Sequence, residues 1–238
     1  FIGIIASMGM PLGVIRFGAM NLSKFGKSGA HRVLISAVKI VIPSSVVFAI
    51  ATYFGAEGIA NLVFRKPELG AIIKLLSWGI PFIGLQNVFL AATRSMKEIK
   101  YTTIVGVVQP SLALILAMIL VLSGMDIPGA VYAYNISYII GAGLGLVYYR
   151  RMITKKERKG QPFGIRKMLK FSIPLSITEW VHYANERIEV FFLGLLPGAA
   201  VISIYKIAWS FAGLETLLRL SLEQVLAPFS SDLVHRKE

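Results

Sequence analysis

Apolar runs of about 20 residues, the length an α-helix needs to cross the hydrocarbon core of a bilayer, recur along the chain and are separated by Gly, Pro or clusters of charge. They fall at 1–20, 34–54, 69–92, 102–123, 128–149, 168–195 and 199–221, and they predict seven membrane-crossing helices. The last runs on without a break signal to Pro228. Pro11, Pro43, Pro81, Pro110 and Pro174 lie inside or at the edges of these runs, where a missing N–H kinks or locally opens a helix.

The connecting segments alternate in charge. Lys24, Lys27 and Arg32 follow the first run with no acid, whereas 55–68 balances Arg65 and Lys66 against Glu57 and Glu68. Arg94, Lys97 and Lys100 face only Glu98, and the next segment holds Asp126 alone. Eight Lys and Arg between 150 and 167 face only Glu157, and Leu196-Pro197-Gly198 carries no charge. The basic segments are cytoplasmic by the positive-inside rule, so Phe1 starts at the outer face and the C-terminus ends inside. A multi-pass protein of the plasma or inner membrane is expected.

Composition agrees: 55% of the 238 residues are hydrophobic and 16% charged, with a mean hydropathy of +0.69, too apolar for a soluble domain of this length. Loop topology accounts for the formal net charge of +13, so no nucleic-acid partner is needed; lipid contact by Lys155-Lys156-Glu157-Arg158-Lys159 is a second reading of that run. No cysteine is present, which excludes disulfides and thiolate sites. Phe1 opens within an apolar run without an initiator methionine, and the sequence reads as a fragment of a longer chain.

Catalytic patterns are missing. Gly26-Lys27-Ser28 ends like a phosphate-binding loop, but Asn21 stands where that loop needs glycine. Gly141, Gly143 and Gly145 lack dinucleotide-binding spacing and suit close helix packing. Neither a Ser/His/Asp set nor a His-Glu-x-x-His element occurs in any loop. The chain is expected to be no enzyme and to carry no metal or cofactor.

Charge at membrane depth is therefore the candidate chemistry. At about 100° per residue, Glu179, His182, Glu186 and Glu189 share an arc of about 80°. Trp180 and Tyr183 flank this stripe, and Arg187 points away from it. The next run holds Glu215, Arg219 and Glu223 at i, i+4 spacing, a network that either neutralises itself or locks helix to helix. Arg16 and Lys39 lie just inside predicted spans, where they either snorkel or give a cavity a positive floor suited to phosphate. Lys74, near an outer end, fits snorkelling.

Several motifs resemble those of the oligosaccharide flippases and polysaccharide exporters of the multidrug, oligosaccharidyl-lipid and polysaccharide export superfamily. Leu169-Lys170-Phe171-Ser172-Ile173-Pro174-Leu175 looks like the start of that family's second half. Arg187-Ile188-Glu189 with Leu193-Gly194 stands where an Arg-Ile-Asp element precedes Leu-Gly, with glutamate in the aspartate's place. Ile204-Tyr205-Lys206-Ile207-Ala208 matches a Gly-x-Tyr-x-x-Ala element except for Ser203, and Pro228 closes the helix. The run 8–17, with Gly9, Gly13 and Arg16, is similar to the family's second helix.

The resemblance implies an all-α polytopic fold of two lobes around a V-shaped cavity, working by alternating access. It divides the chain into first-lobe helices at 1–149, a basic joint at 150–167 and the first pair of second-lobe helices at 168–238. It implies movement of a polyprenyl (pyro)phosphate glycan from the cytoplasmic to the outer leaflet, in company with membrane lipid and glycan-assembly proteins. Arg16, Lys39 and Arg187 would attract phosphate, while Glu179, His182, Glu186 and Glu189 would bind a coupling proton or sodium ion. Two rival readings are an organic-cation antiporter of the same superfamily and a membrane-embedded glycan ligase or polymerase.

Overall fold

The computed structural model describes residues 2–154, 157, 163–195, 204–205, 207–209 and 211. These residues are almost wholly helical: α1 (Ile2–Ala6), α2 (Met10–Gly58), α3 (Leu69–Ser77), α4 (Ile80–Ser95), α5 (Ile99–Leu120), α6 (Asp126–Met152) and α7 (Ile165–Leu195). Single π-turns at Ile59–Val63 and Val121–Met125 follow α2 and α5.

The helical stretches Met10–Val63 and Ile99–Met152, each of 54 residues, are apolar enough to cross a membrane. Drawn straight, each would reach about 80 Å against a core of about 30 Å. Both instead fold back on themselves. A Cβ placed on Gly29 would meet the carbonyl oxygen of Asn21, and one on Gly129 would lie 3.1 Å from the Leu120 carbonyl carbon. The reversals centre on Gly26, at φ 64° and ψ −159°, and on Gly124. Segment 21–33, expected as a loop, is thus helical apart from one residue. Lys, Arg, Ser and Ala interrupt no helix, and only glycine adopts the Gly26 conformation without strain.

The expected spans 1–20 and 69–92 are each broken. Between α1 and α2, Met8 and Gly9 take positive φ; between α3 and α4 the axis bends by 41°. Each break carries Gly-x-Pro, as Gly9-Met10-Pro11 and Gly79-Ile80-Pro81. Each also frees a carbonyl at membrane depth. Met10 N–H donates to the Ser7 carbonyl and Gly79 N–H to that of Leu76, leaving the carbonyls of Ala6 and Leu75 without their helical partners. Ser44 Oγ donates to Ala6 O at 2.7 Å and Asn135 Nδ2 to Leu75 O at 2.8 Å, which answers the demand that backbone groups in lipid be satisfied. Asn135→Ala is accordingly expected to cost about 0.5–2 kcal/mol, read as a lower melting temperature of the purified full-length protein.

The chain divides into two compact units, Phe1–Glu186 and Arg187–Glu238. The core of the first joins α2, α4 and the start of α7 through Val14, Phe17, Val33, Val41, Val88 and Met168. Phe17 packs against Phe163 and Phe171, with ring centroids 5.2 and 5.3 Å apart, and Ser36 Oγ donates to the Phe163 carbonyl at 2.7 Å. His31 Nδ1 lies 2.9 Å from Tyr149 Oη, so the basic turns of the first unit gather at one end. There Thr154 N and Oγ1 donate to Glu157 at 2.7 and 2.8 Å, which holds the Glu157 carboxyl below its ordinary range. Lys74 does more than snorkel: it pairs with Glu57 across α2 and α3. In the second unit, Tyr205 Oη donates to Glu189 at 2.8 Å.

Gly141 and Gly145 serve packing, as their spacing indicates. A Cβ on Gly145 would sit 3.1 Å from Phe89 Cβ, and one on Gly141 would strike Gln86 Oε1. Among the described residues nothing lies within 4 Å of such a Cβ on Gly143. Leu122, at 83% exposed, and Phe54, at 79%, belong to faces whose natural surroundings are hydrocarbon.

Candidate functional site

A cavity of about 210 Å³ opens in the first unit where α1 gives way to α2. The broken turn contributes Ser7 and Gly9, and the first turns of α2 contribute Pro11, Leu12 and Ile15. Discontinuous helices commonly build transporter sites, because an unwound turn leaves room and exposes polar backbone.

From α4 come Asn87 and Arg94, seven residues apart and hence on one face. From α7 come Ser176, Glu179, Trp180 and Tyr183. These four occupy i, i+3, i+4 and i+7, an arc of about 100°. His182 falls about 60° to the other side of Glu179. The face that lines the cavity is therefore rotated from the acidic stripe read in the sequence, and the two share Glu179.

The crossing of α2 and α7 is held close by small residues. A Cβ on Gly13 would strike Ser172 Oγ, and one on Gly9 would meet the Ser172 carbonyl and lie 2.6 Å from Ser176 Cβ. Ser172 and Ser176 are fully buried. Gly9-x-x-x-Gly13 against Ser172-x-x-x-Ser176 lets the two backbones approach, as small residues do between helices in lipid. That approach brings Glu179 and Trp180, one turn farther on, to the cavity.

The site mixes charges that the structure does not pair with each other. Arg94 makes no side-chain ion pair among the described residues, and its guanidinium lies in the last turn of α4 beside the basic end. Trp180 Nε1 is buried with no hydrogen-bond partner among the described residues. Ser176 Oγ is occupied by the Ile173 carbonyl at 2.8 Å. One cation, one carboxylate, an amide, an indole and a phenol thus line a space shared with apolar side chains.

The other sequence candidates are dispersed. Arg16 is exposed and holds its guanidinium 4.4 Å from the Phe171 ring centroid, outside the cavity lining. Lys39 is exposed and also outside it. His182 is exposed and does not line it, and Glu189 accepts from Tyr205. The side chains of Glu186 and Arg187, and residues Glu215, Arg219 and Glu223 altogether, lie outside the described residues. No group of three or more metal-ligating side chains occurs among the described residues. Arg94 was visible only as a basic-loop charge, because the third run ends at 92 on hydropathy whereas α4 continues to Ser95.

Long apolar helical hairpins, two spans broken at Gly-x-Pro, and a polar cavity at one of the breaks define an all-α integral membrane protein. A family model described as polysaccharide biosynthesis protein matches residues 1–234, and the chain belongs to that family. This agrees with the resemblance carried by the motifs at 8–17, 169–175 and 187–194. No curated protein and no solved structure matches the chain.

Proposed function

We propose that the protein translocates a lipid-linked oligosaccharide, a polyprenyl (pyro)phosphate bearing a glycan, from the cytoplasmic to the outer leaflet for cell-surface polysaccharide assembly. No covalent bond changes in this reading. The observation that carries it is the cavity holding Arg94 with no side-chain ion pair among the described residues, in a member of the polysaccharide biosynthesis family. A guanidinium offers a planar fork of donors that fits a phosphate bidentately. Its place beside the basic turns suits a headgroup at the cytoplasmic leaflet, while Asn87, two turns back along α4, and Glu179 suit the hydroxyl-rich part of the same molecule.

The test is direct translocation. Full-length protein is reconstituted into liposomes with a fluorescent polyprenyl pyrophosphate oligosaccharide, and a membrane-impermeant glycosidase reports which leaflet holds the glycan. Protein-dependent transfer between leaflets is expected, with none for a phosphatidylcholine bearing the same fluorophore. Glycan that stays in its starting leaflet overturns the reading.

A further inference from the structure

We infer that the Glu179, Trp180 and Tyr183 face of α7 recognises the sugar ring nearest the pyrophosphate, and that the ring it accepts is uncharged and rich in hydroxyls. The inference rests on the translocation reading and assigns a second half of the same site.

The helix supplies the arrangement. Positions 179, 180 and 183 bring a carboxylate, an indole and a phenol to one cavity wall, with Asn87 from α4 lining the same space. A sugar ring presents two kinds of surface: patches of C–H that pack on aromatic faces, and rims of hydroxyls that both donate and accept. Trp180 and Tyr183 offer apolar faces with polar edges. The Glu179 carboxylate accepts from hydroxyls through charge-assisted bonds, stronger than neutral ones. Trp180 Nε1, buried with no hydrogen-bond partner among the described residues, is a donor awaiting an acceptor. A group so placed in lipid is costly unless something satisfies it, and a ring or glycosidic oxygen does so.

Charge selects among rings. Arg94 meets the phosphate, so an acidic sugar would bring a second anion against Glu179, a like-charge contact. A neutral hexose or N-acetylhexosamine avoids it. An aromatic and acidic wall would also suit an organic cation, but Arg94 in the same cavity opposes one.

The experiment measures affinity of the full-length protein in nanodiscs for three probes: polyprenyl pyrophosphate bearing one N-acetylhexosamine, bare polyprenyl pyrophosphate, and tetraphenylphosphonium. Wild type is expected to prefer the sugar-bearing probe over the bare one. Glu179→Gln and Glu179→Ala should weaken the sugar-bearing probe by about tenfold or more, the scale of a lost hydrogen bond to a charged group, and leave the bare probe unchanged. Tyr183→Phe, which keeps the ring, should lower the preference by a smaller factor. If the preference survives all three variants, or if only tetraphenylphosphonium responds to Glu179, the sugar assignment fails. The translocation reading then still stands wherever both pyrophosphate probes bind and are carried. Failure of wild type to bind either one sinks the translocation reading itself.

Discussion

Gly9→Val is expected to lower the melting temperature of the full-length protein in detergent by on the order of 10 °C and to abolish most of its monodisperse peak in size-exclusion chromatography. Two costs coincide at this residue. Gly9 sits at φ 66°, where a side chain costs about 1–2 kcal/mol. Its Cβ would also drive into the Ser172 backbone carbonyl and lie 2.6 Å from Ser176 Cβ, which only a shift of α7 can relieve. Overpacking of this kind costs a further 1–3 kcal/mol or so, out of a total stability of about 5–15 kcal/mol. Two comparisons separate the terms. Gly26→Ala places a side chain at φ 64° with nothing among the described residues within 4 Å, so it isolates strain without a clash. Gly13→Ala collides with Ser172 Oγ, a hydroxyl that can rotate away, and otherwise makes ordinary contacts with Met168 Cε and Ser172 Cβ at 3.7 Å, so it should be mild. If Gly9→Val melts no lower than Gly26→Ala, the close crossing of α2 and α7 does not hold the unit together.

The particular residues show where hydropathy reading succeeds and stops. The runs at 34–54 and 128–149 are recovered within α2 and α6, and 102–123 within α5 and the π-turn that follows it, because the length of an apolar stretch is fixed by the bilayer and survives without knowledge of neighbours. The breaks at Ser7–Gly9 and Trp78–Gly79 are invisible to hydropathy, since Gly, Ser and Trp barely change a window average; the repeated Gly-x-Pro carried the information. Charge alone predicts too long a turn at 21–33, because Lys and Arg are good helix formers and α2 stays helical there apart from Gly26. Within the site, Glu179 was legible as an acid at depth. Asn87 and Ser176 were not, because an amide or hydroxyl is cheap enough in a helix to need no explanation. The direction of the α7 wall depended on where α7 touches α2, and the Gly9, Gly13, Ser172 and Ser176 contact that sets it joins residues more than 150 positions apart.

Arg94→Ala in the full-length protein should reduce transfer of the lipid-linked glycan by about tenfold to a hundredfold, the range for losing hydrogen bonds to a charged partner. Folding should survive, since Arg94 is exposed toward the cavity, packs in no core cluster and forms no side-chain ion pair among the described residues. Arg94→Lys decides what the residue does. As a determinant of membrane orientation an arginine is replaceable by lysine, because the positive-inside rule counts both. As a bidentate phosphate ligand it is not, because an ammonium is a point charge without the planar fork. Intermediate transfer by Arg94→Lys, with chromatographic behaviour unchanged, is therefore the expected outcome. Full transfer by Arg94→Lys would return the residue to the role of a topological charge, and full transfer by Arg94→Ala would remove it from the site. Arg16→Gln supplies the contrast. Its guanidinium stacks on Phe171 outside the cavity, so its loss should lower thermal stability while transfer per folded molecule stays within about twofold, since an exposed cation–π contact is worth only about 0.5–1 kcal/mol.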